Sequence, residues 1–317
     1  MLKGIILTLS ACFIWGLIYV IPIFLSAYSP VEIALGRYFF FGTISLIFFG
    51  GICYQKLSHY PFKIWRKALW FALVANVVYY TTLVLAVQYS SATITALIAG
   101  IAPITISFYG NWKNNECSFN KLILPAILII AGLITINGKA LFSNETIVIS
   151  YEYIIGLFCA FLALVSWTWY VVANTQFLKT YPYVTHFEWS TMLGVSTFFW
   201  VILISLLMGL FFMDSTQIQK YFLLTTDLKI FLGLTAILGC LCSWLGSYLW
   251  NSGCIHLPVS LAGQMTIFET VFGLIFVYTL EQRLPSSLEG IGFSFIFLAI
   301  AYSMNVFSKT LQEPAHT

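Results

Sequence analysis

Charge is what this sequence has least of. Asp, Glu, Lys and Arg together make up 8% of its 317 residues, against about 25% in an ordinary soluble domain. A chain so poor in charge cannot keep a globular surface hydrated, which excludes the soluble classes. The net charge of +3 is small and scattered along the chain, so no nucleic acid partner is expected. Catalytic signatures are missing too. His-Glu-x-x-His, Gly-x-Ser-x-Gly and a Gly-rich phosphate loop do not occur, and the four histidines form no cluster. The seven cysteines (Cys12, Cys53, Cys117, Cys159, Cys240, Cys242 and Cys254) follow neither zinc-ligand spacing nor a disulfide framework. Lying almost all within apolar runs, they read as small buried hydrophobes. No metal, no cofactor and no enzymatic activity is implied, and an ion channel would show a conspicuous filter sequence.

What is present is hydrophobic length. Residues of the apolar set make up 60% of the chain, gathered into runs that reach the roughly 20 residues needed to cross a bilayer. Ten spans are expected, at about 4–25, 31–54, 66–88, 91–112, 120–139, 153–178, 187–210, 229–252, 258–281 and 286–308. The fold class is therefore all-α integral membrane, with the lipid bilayer as the first partner. The longest polar stretches, 56–67, 137–152 and 214–229, leave no room for a second domain, and residues 309–317 form a tail. Leu9-Ser10-Ala11-Cys12 resembles a lipoprotein cleavage box. The apolar run nevertheless continues through Trp15 to Leu25, so an uncleaved first span is expected. Asn144-Glu145-Thr146 fits a glycosylation sequon, which matters only in a secretory pathway.

Basic residues set the orientation. With the N-terminus cytoplasmic, the inner side receives Lys3, Lys56, Lys63, Arg66, Lys67, Lys113, Lys121, Lys179 and Lys309, and the outer side Lys139, Lys220, Lys229 and Arg283. Both termini are thus expected inside. An internal repeat emerges when the halves are overlaid. A shift of 152 residues places Trp15 on Trp167, Pro30 on Pro182 and Gly42 on Gly194; beyond a longer loop the shift becomes about 167, placing Tyr89 on His256 and Ala102 on Glu269. Residues 1–139 and 153–308 then each carry five spans. Five is odd, so the second half enters from the opposite side and the ten helices form two inverted five-helix repeats.

The residues most expensive to place in lipid are the candidates for function. A carboxylate at mid-depth costs at least about 2.5–3.5 kcal/mol, so Glu269 in the ninth span should face protein or water. It reads as a proton site, a counter-ion for a substrate amine, or a protonated carboxyl that holds helices together. Gln264, five residues earlier, lies too far round the helix to share its face closely, and Thr266, three residues earlier, is the better local partner. Arg37, inside the second span, reads as an outer gate for a carboxylate, or as a structural arginine paired with Glu32. Asn76 and Asn174 could hydrogen-bond a solute or join helices. His256 and Glu188 sit at inner helix ends, where solvation is the plain reading. Gly100 with Pro103, and Gly253 with Pro258, interrupt the fourth and ninth spans at matching places, the pattern that marks a binding region in inverted-repeat carriers.

The order of short motifs resembles the drug/metabolite transporter superfamily, specifically its EamA-type ten-helix members. The motifs are Ile14-Trp15-Gly16; Pro30-Val31-Glu32 through Gly36-Arg37-Tyr38; Ala86-Val87-Gln88-Tyr89-Ser90-Ser91-Ala92 leading to Pro103; and, in the second half, Tyr248-Leu249-Trp250-Asn251, Pro258-Val259-Ser260 and Leu280-Glu281-Gln282-Arg283. The resemblance covers essentially the whole chain, with two departures. The family often has proline where Thr270 stands, so a straighter ninth helix is expected here. The first repeat also ends in an unusual Asn111-Trp112-Lys113-Asn114-Asn115-Glu116, so a different inner loop is expected.

The resemblance implies a basket of ten helices around a central cavity, lined mainly by spans one, three, four, six, eight and nine, with the second and seventh moving to open and close it, and passage of small organic solutes across an inner or plasma membrane, often outward. On that arrangement Trp15, Tyr19, Asn76, Tyr79, Tyr80, Trp167, Tyr248, Trp250, Gln264 and Glu269 are expected to bind substrate. Trp169, Tyr170 and Trp244 fall in the same spans. An interfacial aromatic belt is the other reading of these rings. Stacking and cation–π attraction favour amino acids or amines with aromatic or apolar character. With Arg37 the one cation inside a span, phosphate-bearing substrates are disfavoured. The expectation is a secondary transporter working by alternating access, with protons as a candidate coupling partner. An uncoupled facilitator, a non-transporting receptor or scaffold, and an uncharacterised membrane enzyme stay open, as does the oligomeric state.

Overall fold

A backbone in lipid has no water to bond, so each crossing segment must satisfy its own N–H and C=O groups, and helices do this. The structure, a computed structural model, describes residues 1–141, 150–211 and 225–312. The sequon at Asn144, Lys220 and the tail from residue 313 lie outside them. Among the described residues, ten helices are long and apolar enough to span a membrane: α1 (Leu2–Leu25), α2 (Pro30–Ile52), α3 (Phe62–Tyr89), α4 (Ile94–Asn114), α5 (Asn120–Gly138), α6 (Tyr151–Thr180), α7 (His186–Leu210), α8 (Thr226–Cys254), α9 (Val259–Leu280) and α10 (Ser287–Lys309). Short connections make consecutive helices antiparallel. All odd-numbered helices therefore start at one face, termed the near face because the chain begins there, and end at the far face.

Local sequence sets several starts. Ser29 and Glu32 form a reciprocal capping box ahead of α2, with Pro30 as its first residue. Thr185 with Glu188 does the same for α7, and Ser286 with Glu289 for α10. In each, the hydroxyl accepts from the amide three residues on, and the carboxylate accepts in return, satisfying two donors that a helix start leaves orphaned.

The helices pack most extensively in the pairs α1 with α8, α2 with α7, α3 with α6, α4 with α9 and α5 with α10. Exchanging the first five helices with the last five leaves this set of pairs unchanged. Glycines permit the closest approaches: a Cβ on Gly194 of α7 would collide with Ser45 of α2, and one on Gly263 of α9 with Ile106 of α4.

Two irregularities repeat across the halves. Residues Leu73–Val78 of α3 and Leu238–Leu245 of α8 are wound as π-helix, a widening that is rare and recurs at functional sites. The same 167-residue shift relates them, pairing Asn76 with Ser243. α4 and α9 each break near mid-depth, at Ile101 and at Thr266. Pro103 follows the first break, as expected. Pro258 does not break α9; it caps its start. Nor is α9 straighter for lacking proline at Thr270, because Thr266 interrupts it and turns its hydroxyl to the Gly263 carbonyl at 2.6 Å.

Candidate solute cavity

Between the repeats lies a cavity of about 520 Å³, within the range of roughly 300–1,000 Å³ that small-molecule sites occupy. α1 contributes Trp15 and Tyr19, α2 Arg37 and Tyr38, α3 Asn76, Tyr79 and Tyr80, α6 Trp167 and Tyr170, α8 Ser243 and Trp250, and α9 Glu269 and Thr270. Among the residues that line it, Arg37 and Glu269 are the charged ones. One is basic and one acidic, and they enter from different repeats.

The π-helical segments position much of this wall. Arg37 Nε donates to Ser243 Oγ at 2.8 Å, tying α2 to the widened turn of α8. Asn76 Nδ2 donates to Thr197 Oγ1 at 2.7 Å, tying α7 to the widened turn of α3. The two bonds correspond at the level of helices, though not residue by residue: each of α2 and α7 is fastened to the other repeat's irregular helix. Arg37 is thus not anchored by Glu32, whose carboxylate accepts from the Ser29 amide.

The aromatic walls are also doubled. Trp15 lies against Trp250, ring centroids 5.3 Å apart, and its indole donates to the Cys242 carbonyl at 2.7 Å within the π-helical stretch. Trp167 stacks on Tyr79 at 4.9 Å. Tyr80 donates to the Pro30 carbonyl at 2.8 Å, and Tyr19 shares a 3.3 Å hydrogen bond with Thr270. These fixed rings leave flat apolar surfaces on two sides of the chamber.

Sequence reasoning placed most of the wall and missed parts of it. Trp15, Tyr19, Asn76, Tyr79, Tyr80, Trp167, Trp250, Glu269, Arg37 and Pro103 meet at the cavity. Tyr248 and Gln264 do not. Tyr248 turns away to stack on Trp244, and Gln264 is buried between α4 and α9, donating to Ser107 Oγ at 3.0 Å. Asn174 belongs to a buried chain in which the Trp189 indole donates to Asn174, Asn174 to Asn251, and Asn251 to Ser190, at 2.7 to 2.9 Å. Glu188 is not solvated; it is 4% exposed and accepts from Tyr60 at 2.9 Å. Tyr38 and Ser243 were missed. The repeat overlay could have found Ser243, since it falls on Asn76.

The cavity reaches toward the far face. Tyr19 and Val87, on its far side, are 41% and 43% exposed, whereas Asn111, Asn174, Val259 and Ser260, on the way to the near face, are at most 1% exposed. The far side is open and the near side is sealed.

Comparison with known proteins agrees with this architecture. Residues 2–138, the first five helices, match the EamA-like transporter family. Inner membrane protein YtfF of Escherichia coli (strain K12) is 28% identical over 310 residues, covering 95% of each chain. An uncharacterized transporter of Haemophilus influenzae is 34% identical over 70 residues, covering 20% of this chain and 41% of its own. A solved crystal structure superposes with a TM-score of 0.75 over 96% of this chain and 98% of its own, at 16% identity, and so shares the fold.

Proposed function

We propose that the chain, a multi-pass membrane protein whose residues 2–138 match the EamA-like transporter family, is a secondary transporter, working as an exporter, for amino acids or amines of aromatic or apolar character. The single observation that carries this reading is the chamber itself: one cation, Arg37, and one carboxylate, Glu269, face a space walled by the Trp15–Trp250 and Tyr79–Trp167 pairs. A zwitterion can answer both charges at once, its carboxylate toward Arg37 and its ammonium toward Glu269. Between low-dielectric walls such pairs weigh more than they do in bulk solution. The flat walls accept an aromatic or branched side chain, and the ring faces attract a cation.

Transport follows from exchanging the roles of the two repeats. In the present arrangement the chamber opens to the far face. By the distribution of basic residues that face is the outer one and both termini are cytoplasmic, as in a bacterial inner membrane. Rocking of α2 and α7, each fastened to the opposite repeat through Arg37–Ser243 and Asn76–Thr197, carries the opening to the other side. Glu269, alone among carboxylates in the chamber, is the group on which a proton and an amine compete, which couples the two.

The test is uptake of radiolabelled amino acids and amines into proteoliposomes, with and without an imposed pH gradient, comparing the native chain with Glu269→Gln. Accumulation driven by the gradient, reduced to equilibration or lost in the variant, supports the reading. Accumulation unchanged in the variant at every pH removes Glu269 from the mechanism. Transport indifferent to the gradient in both points to a facilitator. Absence of counterflow with every solute points to a non-transporting scaffold.

A further inference from the structure

The stretch that departs from the family pattern, Asn111-Trp112-Lys113-Asn114-Asn115-Glu116, finds its explanation at the near face. The Asn111 side chain accepts from the Cys117 amide at 2.8 Å and donates to the Cys117 carbonyl at 2.9 Å. This closes the chain on itself as α4 ends, and Asn115 makes the reversal in a left-handed conformation, φ 49°. Asn is one of the few residues that takes this conformation readily. Gln176 of α6 donates to Asn114 at 3.2 Å and holds the loop from the side.

The loop so built presents Glu116 to the other repeat. One carboxylate oxygen accepts from the Val259 amide at 2.6 Å and the other from the Ser260 amide at 2.8 Å. These are the first N–H groups of α9, donors that a helix start leaves without partners, and a carboxylate there also meets the positive end of the helix dipole. The bonds are charge-assisted and paired, the stronger kind. They join the end of α4 to the start of α9 where the two helices already touch. A Cβ on Gly110 would come within 2.8 Å of Val259.

The far face carries different chemistry at the equivalent place. The 167-residue shift places Arg283 where the near face has Glu116, and Ser91 where it has Pro258. A guanidinium has no acceptor for an amide. Arg283 instead binds Glu281 at 2.6 Å and Glu289 at 3.1 Å, both in its own repeat, and Ser91 caps its own helix. A carboxylate latch between the repeats is therefore available to one face and denied by sequence to the other, and the face that has it is the sealed one.

We infer that Glu116 is the latch of the near-face gate: its carboxylate holds α9 against the loop after α4, and its release is the step that lets the near side open. Glu116 is a positioning residue that meets no solute. It acts by setting how much of the protein rests open to the far face. The inference rests on the transporter reading only for the purpose of the opening, and its test needs no substrate.

The experiment is hydrogen–deuterium exchange of the full chain in nanodiscs, native against Glu116→Gln and Glu116→Ala, with thermal unfolding recorded alongside. Loss of the latch should speed exchange of peptides spanning residues 255–266 by about tenfold, the scale of a lost charge-assisted bond. At the same time exchange in residues 87–103 and 267–276, around the chamber, should slow as the far side closes. Glu116→Asp, which keeps the charge on a shorter arm, should fall between native and Gln. Near-face exchange unchanged in both Gln and Ala variants overturns the inference. So does exchange that rises at both faces together, because that reports loosened packing rather than a shifted gate.

Discussion

At the near face α4 and α9 touch along their length. Gly110 and Gly263 admit Val259 and Ile106, and Gln264 bonds Ser107 across the contact. At the far face the same two helices stand on opposite sides of a chamber, with Thr95 and Ala99 facing it from α4 and Thr270 and Leu274 from α9. Both regions are made from equivalent parts of one repeat, so the difference lies in side chains and not in topology. Where the contact is made of glycine and an amide bonded to a hydroxyl, the helices close. Where a carboxylate, an arginine and rings project, they stay apart. A carrier needs that inequality to be small enough to reverse. Comparing matched substitutions in the two regions measures it.

The largest effect is expected from glycine. Gly263→Ala sets a methyl against Ile106, whose Cβ would lie 2.8 Å from the added carbon, with the Ser107 backbone nitrogen at 3.1 Å. Overpacking of this kind costs typically 1–3 kcal/mol. A lowered melting temperature, or a near side forced open, is the expected outcome. Gly100→Ala, against the far half, meets only the flexible end of Leu133 at 3.2 Å and should leave melting unchanged. Equal shifts in a fluorescence melting assay for the two variants would erase the distinction between the regions.

Amides sharpen it next. Asn174→Ala strands the Trp189 indole N–H and the Asn251 oxygen, both buried, and leaving such groups unpaired costs about 1–3 kcal/mol. Asn76→Ala removes one donor from Thr197, whose hydroxyl keeps its bond to the Leu193 carbonyl, and takes a polar group from the cavity wall, so its loss is expected to be smaller in stability and larger in solute affinity. Melting curves and ligand-induced shifts on the same two variants separate the effects; the reverse ranking would show that the sealed network bears little load.

The smallest effect concerns pH at the near face. His256 has its pKa held below the ordinary 6.5 by burial and by nearby Lys3. The unfolded chain therefore takes up that proton more readily than the folded one, and stability should fall slightly as pH drops through about 6.5 and below. His256→Gln should flatten this part of the melting-temperature profile. A profile identical in the two proteins would show that the near-face loops carry no such linkage.

Much of this fold was legible without coordinates. Ten runs of bilayer length give ten helices, because lipid offers the backbone no other partner. The boxes Ser29–Glu32, Thr185–Glu188 and Ser286–Glu289 write three helix starts in four residues each. Overlaying the halves paired Gly42 with Gly194, and both lie where α2 and α7 cross. Trp15, Tyr79 and Glu269 could be placed at the cavity because a large ring or a charge at mid-depth has few alternatives to it.

What the sequence could not determine is which way a residue turns within one helical turn. Gln264 and Glu269 sit five positions apart on α9, yet one is buried against α4 and the other faces the chamber. Their rotation depends on the break at Thr266. Tyr248 and Trp250, two apart, lie on opposite sides of α8, and the π-helical stretch before them sets which of the two meets the cavity. The bond from Tyr60 to Glu188 and the bonds from the start of α9 to Glu116 were equally invisible, because each joins groups more than a hundred residues apart. Hydropathy and helix starts are local properties that a chain states for itself. The seal at one face and the chamber at the other arise only where two repeats meet.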